Sequence, residues 1–80
     1  MLQYRKWLVE LSLKSSLPPL KSGKRSFYYE VETLDELSAK IKACNRFHQD
    51  SIYQPKLRNE LADNRLSYWM FDVTDVVCLD

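Results

Sequence analysis

Cys44 and His48 are the side chains most suited to chemistry, because a thiol and an imidazole four residues apart share one face of a helix. A nucleophilic cysteine needs such a base to activate it. Cys44, however, falls within an apolar stripe, where burial raises the pKa of a thiol and makes it inert. We therefore interpret the pair as structural and predict no enzyme.

Ligands for a metal ion or a cofactor are few. Two cysteines, Cys44 and Cys78, and one histidine are too few for a zinc site or a disulfide scaffold. The carboxylates of Asp72, Asp75 and Asp80 are better interpreted as solvated side chains at a strand end, because nothing fixes six oxygens around a cation. The sequence thus predicts neither a metal nor a cofactor.

A basic segment at residues 21–30, KSGKRSFYYE, contains the only glycine and runs into three aromatic residues. A phosphate-binding loop needs a glycine five residues before Gly-Lys and a hydroxyl directly after the lysine, but Pro18 and Arg25 occupy those positions. The favoured interpretation is a hairpin tip that Lys21, Lys24 and Arg25 keep soluble. The alternative is that these three cations contact a nucleic acid or an acidic partner.

The segment from Lys24 to Val31, followed by an amphipathic helix, is similar to the third strand and second helix of RNA-recognition motifs. In that family a strand displays rings on which bases stack. The family's second glycine is missing here, and the preceding 25 residues are too few for its strand-helix-strand. The resemblance implies an alternative function, the binding of single-stranded nucleic acid through Tyr28 and Tyr29 beside Lys24 and Arg25.

The composition is that of a folded protein with a single domain spanning residues 1–80. Apolar residues make up 45% of the chain and charged residues 29%, which is too hydrophobic for disorder. The net charge of +1 is unevenly spread. Residues 1–25 hold six basic side chains and one acidic side chain, whereas residues 61–80 hold one basic side chain and four acidic ones. No apolar run reaches 18 residues, so we expect no membrane association and a reducing, cytoplasmic setting.

Two strands and one helix are predicted from periodicity. Apolar residues alternate over residues 3–15 and again over residues 26–32, which favours two strands of a hairpin. Thr33 and Glu36 then have the spacing of a capping box, so a helix is expected over residues 34–47. Its core-facing stripe is predicted to comprise Leu34, Leu37, Ile41, Cys44 and Phe47.

The remainder of the chain allows more than one interpretation. Pro55 favours a short helix that ends at Asn64 in a left-handed conformation, although Asp63-Asn64 is also compatible with a hairpin turn. Residues 65–73, RLSYWMFDV, are predicted to be a strand, which residues 76–79 extend or follow with a fourth. The predicted fold is α+β, a small antiparallel sheet of three or four strands packed on one main helix, in the order β-β-α-(short α)-β.

More large apolar side chains are present than one helix can cover. Alternation would place Tyr68 and Met70 on one side of the last strand and Trp69 and Phe71 on the other, so one pair would be exposed. Exposed apolar patches mark interaction sites. We therefore predict that these four residues, with Tyr28, form a partner-binding surface.

The sequence thus favours a small binding module without catalytic activity, which occludes a surface on a protein or nucleoprotein complex. Such chains are in kind like the inhibitors that phages and mobile elements direct at host defence complexes, anti-CRISPR proteins among them. Besides binding of single-stranded nucleic acid, a structural homo-oligomer such as a homodimer is the other alternative.

Overall fold

A computed structural model describes residues 3–80 and confirms the α+β fold. The sheet is antiparallel with the strand order β2-β1-β3, and α1 covers one of its faces. Within residues 3–80 no helix packs on the other face, which is called the open face below. In chain order the elements are β1 (Arg5–Leu13), β2 (Ser26–Thr33), α1 (Glu36–Tyr53), α2 (Pro55–Asp63), a 3-10 turn (Tyr68–Met70) and β3 (Phe71–Cys78).

The central strand, β1, follows from the alternation of its sequence. Val9, Leu11 and Leu13 point towards α1 and are buried, while Glu10 and Ser12 between them point to the open face. Both edges of β1 are paired, with β2 on one side and β3 on the other. The strand is therefore the centre of the sheet and also contacts α1.

The basic segment is a hairpin tip, as the sequence predicts. Gly23 lies in the left-handed region with φ 83°, and its amide donates to the carbonyl oxygen of Leu20 at 2.7 Å. A glycine adopts this conformation without the steric cost that a side chain would impose. Leu20 at the same turn is buried in the hydrophobic core. The buried side chain of Leu20 and the turn at Gly23 together hold β1 and β2 in register.

The start of α1 differs from the prediction. Thr33 is a buried residue of β2, and Asp35 is the N-cap, with its carboxylate accepting from the amide of Ser38 at 2.7 Å. An aspartate satisfies a free N-terminal amide as well as a threonine does. The helix also continues to Tyr53, six residues beyond the predicted end.

The buried face of α1 was predicted wrongly at most of its positions. The residues that face the sheet are Ala39, Ala43 and Phe47. Leu37 is 66% exposed and Ile41 is 53% exposed. Small alanines let the helix approach the sheet closely, and aromatic rings from the strands fill the remaining space. The ring of Phe47 packs against three of them, those of Phe27, Tyr29 and Phe71.

The short helix is confirmed and the hairpin at Asp63-Asn64 is excluded. Pro55 occupies the first turn of α2, where its missing amide costs nothing. The left-handed residue is Arg65, with φ 56°. Asn64, for which the sequence predicted this conformation, has φ −98°. The amide of Leu66 donates to the carbonyl of Leu61 at 2.8 Å, which closes the helix with a Schellman motif.

Replacement of this arginine by glycine should stabilise the fold. Arg65→Gly is expected to raise the free energy of unfolding by about 0.5–1 kcal/mol, because glycine adopts the left-handed conformation without strain. Asn64→Gly is the control and should give no gain, since Asn64 is not left-handed. Urea denaturation of both variants checks this, and an unchanged or lowered midpoint for Arg65→Gly would contradict it.

The last strand begins later than predicted. Tyr68–Met70 form a 3-10 turn and β3 covers Phe71–Cys78. Strand alternation therefore does not apply to Tyr68, Trp69 and Met70. Residues 76–78 extend the same strand, and Thr74 is an extra residue between the pairs Leu11–Val73 and Glu10–Asp75. This bulge keeps Thr74 and Asp75 both on the open face.

Candidate functional site

The 3-10 turn presents two aromatic residues to solvent from a well-anchored backbone. Met70 packs against the hydrophobic core, and the following residue, Phe71, is buried. The carbonyl of Met70 also accepts from the amide of Lys14 at 3.1 Å. Tyr68 and Trp69 remain outside this anchor and are 39% and 61% exposed.

The ring of Tyr68 is held by a stack on α1. Its centroid lies 4.0 Å from that of His48, and the two planes differ by 15°. His48 is itself half-buried, so the stack joins an exposed ring to the helix. An aromatic side chain fixed in this way loses little conformational entropy when a partner covers it.

The indole of Trp69 lies where two clefts meet. The larger, about 300 Å³, is also lined by Tyr68, Arg58 and Leu66. The smaller, about 110 Å³, reaches down to the core at Phe71. The ammonium of Lys14 lies 5.9 Å from the indole centroid, within the range of a cation-π contact. We call the group of Lys14, His48, Arg58, Tyr68 and Trp69 the aromatic site.

Cys44 and His48, the pair that the sequence singled out for chemistry, both lie beside Tyr68 in the structure. Cys44 lines the smaller cleft but is exposed, so its expected burial in the apolar stripe is wrong; the partial desolvation that remains still raises the pKa of its thiol above the ordinary value. The imidazole of His48 stacks face to face on the ring of Tyr68. Within residues 3–80, no group of three or more His, Cys, Asp or Glu side chains is placed to hold a metal ion.

The five residues predicted to bind a partner are divided by the structure. Tyr68 and Trp69 are exposed side by side, whereas Met70 and Phe71 contribute to the core. The predicted pairing of Tyr68 with Met70 and of Trp69 with Phe71 is therefore wrong, because these residues are not in one strand. Tyr28 lies apart from the others, on the open face of the sheet.

The open face is acidic around Tyr28. Its hydroxyl donates to the Glu10 carboxylate at 2.6 Å, and this hydrogen bond raises the pKa of Tyr28. Thr74 also donates to the Glu10 carboxylate. The hydrogen bonds from Thr74 and Tyr28 lower the pKa of Glu10, and the bond from Thr74 contributes most. Asp75 lies opposite Glu10 in the sheet. A phosphate backbone would be repelled here, which disfavours base stacking on Tyr28.

The hydrogen bonds to Glu10 give a pH-dependent contribution to stability. Because the folded pKa is below the unfolded value of about 4.3, the stabilisation is present above that pH and is lost as the pH falls through the folded pKa. Glu10→Gln should therefore reduce the fall in the free energy of unfolding at acidic pH. Tyr28→Phe should reduce this fall in part. Urea denaturation from pH 2 to 7 tests this, and curves parallel to that of wild type would contradict it.

Two of the three basic residues of the hairpin, Lys24 and Arg25, contact groups within the chain. Arg25 donates to the carbonyls of Leu17 at 2.9 Å and Lys14 at 3.0 Å, so it braces the loop. The ammonium of Lys24 lies 4.4 Å from the ring centroid of Phe27. Lys21 is exposed. Their contact with a nucleic acid or an acidic partner stays a prediction.

Sequence reasoning missed three members of the aromatic site. Lys14 directly follows β1, His48 lies in α1 and Arg58 lies in α2, and only the folded chain brings them to the 3-10 turn. No local pattern marks them. The two exposed rings, by contrast, could be found from the excess of aromatic residues over what one helix covers.

Comparison with known proteins finds no matching family, no matching curated sequence and no matching solved structure. In the part of the chain that the structure describes, neither helix is long and apolar enough to cross a bilayer. The basis for a function is therefore the geometry of the aromatic site.

Proposed function

We propose that the protein is a non-enzymatic binding module that docks its aromatic site onto another protein. The observation that carries this proposal is the exposed indole of Trp69 beside the stacked ring of Tyr68. A large apolar side chain that stays in water is a cost to the free protein, and a partner that covers it removes that cost.

Residue types and rigidity both favour a protein partner. Interface hot spots are enriched in Trp, Tyr and Arg, the types that Trp69, Tyr68 and Arg58 supply at one cleft. The turn that carries the two rings is fixed by buried neighbours on its C-terminal side. Binding would therefore immobilise few groups, which lowers the conformational-entropy cost of association.

Charge further defines the partner. Lys14 and Arg58 border the exposed indole, so the complementary surface is an apolar pocket with acidic residues at its rim. Occupation of such a pocket by a rigid module blocks it for other ligands. We therefore propose occlusion of a surface on a protein or nucleoprotein complex, in the manner of an inhibitor.

Affinity capture from a lysate of the encoding organism, with and without nuclease, tests the proposal. We expect one protein or complex to be retained equally in both samples. Nuclease-sensitive capture would contradict it, as would low-salt binding of labelled single strands. In that case each cation removed among Lys21, Lys24 and Arg25 should reduce the log-log salt slope by about 0.7.

A further inference from the structure

The smaller of the two clefts beside Trp69 is apolar throughout its lining. Its floor belongs to the hydrophobic core, since Leu11, Phe47 and Phe71 are each no more than 6% exposed. Its walls are the two rings of the 3-10 turn and the exposed side chain of Cys44 on α1. Among residues 3–80, the six that line this cleft carry no charge. Water that enters it would therefore find few hydrogen-bond partners.

The volume of this cleft, about 110 Å³, decides what class of ligand it can take. Pockets for small molecules and cofactors usually enclose about 300–1,000 Å³, so a cleft of this size is too small for them. An apolar cavity of about 150 Å³ can hold one benzene molecule. A single aliphatic or phenyl side chain is therefore the ligand of matching size and chemistry.

The larger cleft, which shares Tyr68 and Trp69 with the smaller one, differs in charge. Arg58 lines it and, among the described residues, no carboxylate does. The ammonium of Lys14 lies 5.9 Å from the indole centroid, over the ring that lines both clefts. Because cations border the apolar cleft, an acidic group beside the inserted side chain is favoured.

We propose that the smaller cleft takes one large apolar side chain, leucine or phenylalanine, from an acidic segment of the partner. The side chain enters between Cys44 and the rings of Tyr68 and Trp69, and the carboxylates beside it lie near Lys14 and Arg58. The indole of Trp69 enters the partner's own pocket, so each protein inserts one side chain into the other. Hot spots of two partners commonly pair in this way. This binding mode rests on the proposed function, because it names the chemistry of the partner that the aromatic site binds.

Disulfide exchange at Cys44 tests the cleft without the partner. In a Cys78→Ser background, the protein is equilibrated with phenylethanethiol and mercaptoethanol, each with its disulfide, and intact-mass spectrometry measures the two mixed disulfides. We expect the phenylethyl adduct to exceed the hydroxyethyl adduct by about fivefold or more, because the cleft buries its ring. The raised pKa of the thiol slows exchange with both reagents and does not alter their ratio at equilibrium.

Asn45→Cys in a Cys44→Ser, Cys78→Ser background is the matched control for this exchange. Asn45 follows Cys44 on α1 but lines a different cleft, whose lining includes five charged side chains. A thiol at this position should take the two reagents in equal amounts. An equal preference for the phenylethyl group at both positions, or none at Cys44, would overturn the inference, whatever protein the aromatic site binds.

A second pair of reagents tests the charge of the inserted segment. N-acetyl-cysteinyl-phenylalanine carries a carboxylate next to its ring, and the corresponding amide does not. We expect Cys44 to retain the carboxylate form about twofold more than the amide, and we expect Lys14→Gln combined with Arg58→Gln to remove this preference. Equal retention of the two forms, or a preference that survives the double substitution, would overturn the acidic character of the partner.

A variant that fills the cleft separates this inference from the proposed function. Cys44→Phe should weaken binding of the captured partner by roughly tenfold or more, because its ring competes for the cleft. Its melting temperature should not change, since Cys44 is exposed. Asn45→Phe should leave binding unchanged.

The outcomes of these experiments are distinguishable. If Cys44→Phe does not weaken a complex that Trp69→Ala weakens, the inference is wrong and the proposed function stands. If no partner is captured but both pairs of reagents behave as expected, the cleft and its ligand chemistry stand and the proposed function fails.

Discussion

Phe47→Ala is expected to cost the protein a large part of its stability. Phe47 is 1% exposed and contacts the rings of Phe27 and Phe71 at centroid distances of 5.2 and 5.0 Å. Truncation of a buried phenylalanine costs about 3–5 kcal/mol. Since a domain of this length has about 4–12 kcal/mol in total, the variant should be largely unfolded in mild urea.

Ile41→Ala is the control for that result. Its side chain is 53% exposed, so the free energy of unfolding should change by no more than about 0.5 kcal/mol. Urea denaturation compares the two variants. An Ile41→Ala variant as unstable as Phe47→Ala would show that α1 presents its large apolar side chains to the sheet after all.

Trp69→Ala is expected to weaken the complex with the captured partner by about 2 kcal/mol or more, a factor of roughly 30. The variant should keep its melting temperature, because the indole is mostly exposed and the fold is anchored by the residues that follow it. Calorimetric titration of the purified partner measures the affinity, and thermal unfolding measures the stability.

Tyr4→Ala is the matched control for this loss. Tyr4 is also a mostly exposed aromatic residue, but it lies at the opposite end of β1, roughly 30 Å from the 3-10 turn. Its removal should leave the affinity unchanged. If both variants weaken the complex equally, the aromatic site is not where the partner docks.

The elements of the fold could be predicted where local pattern and tertiary environment agree. The alternation of apolar and polar residues predicted β1 and β2, and Pro55 predicted the start of α2. The face of α1 could not be predicted, because a stripe of large apolar residues is normally the buried one. Here Ala39 and Ala43 are buried, and the two leucines and the isoleucine of the stripe are exposed.

The candidate site could be predicted only in part, for a similar reason. Tyr68 and Trp69 are aromatic residues in a segment with strand propensity, and propensity is overridden by context. A 3-10 turn replaces the first part of the predicted strand, so that both rings are exposed together where alternation would separate them. The stack with His48 is a long-range contact that no local pattern encodes.

Fluorine NMR of the protein labelled with 5-fluorotryptophan tests the docking of the aromatic site most directly. The chain has two tryptophans, and Trp7 is held in the fold by a hydrogen bond from its indole to the carbonyl of Thr33 at 3.2 Å. A Trp7→Phe variant assigns the two resonances. Addition of the captured partner should shift the Trp69 resonance and leave that of Trp7 unchanged. An unshifted Trp69 resonance in a saturated complex would contradict the account.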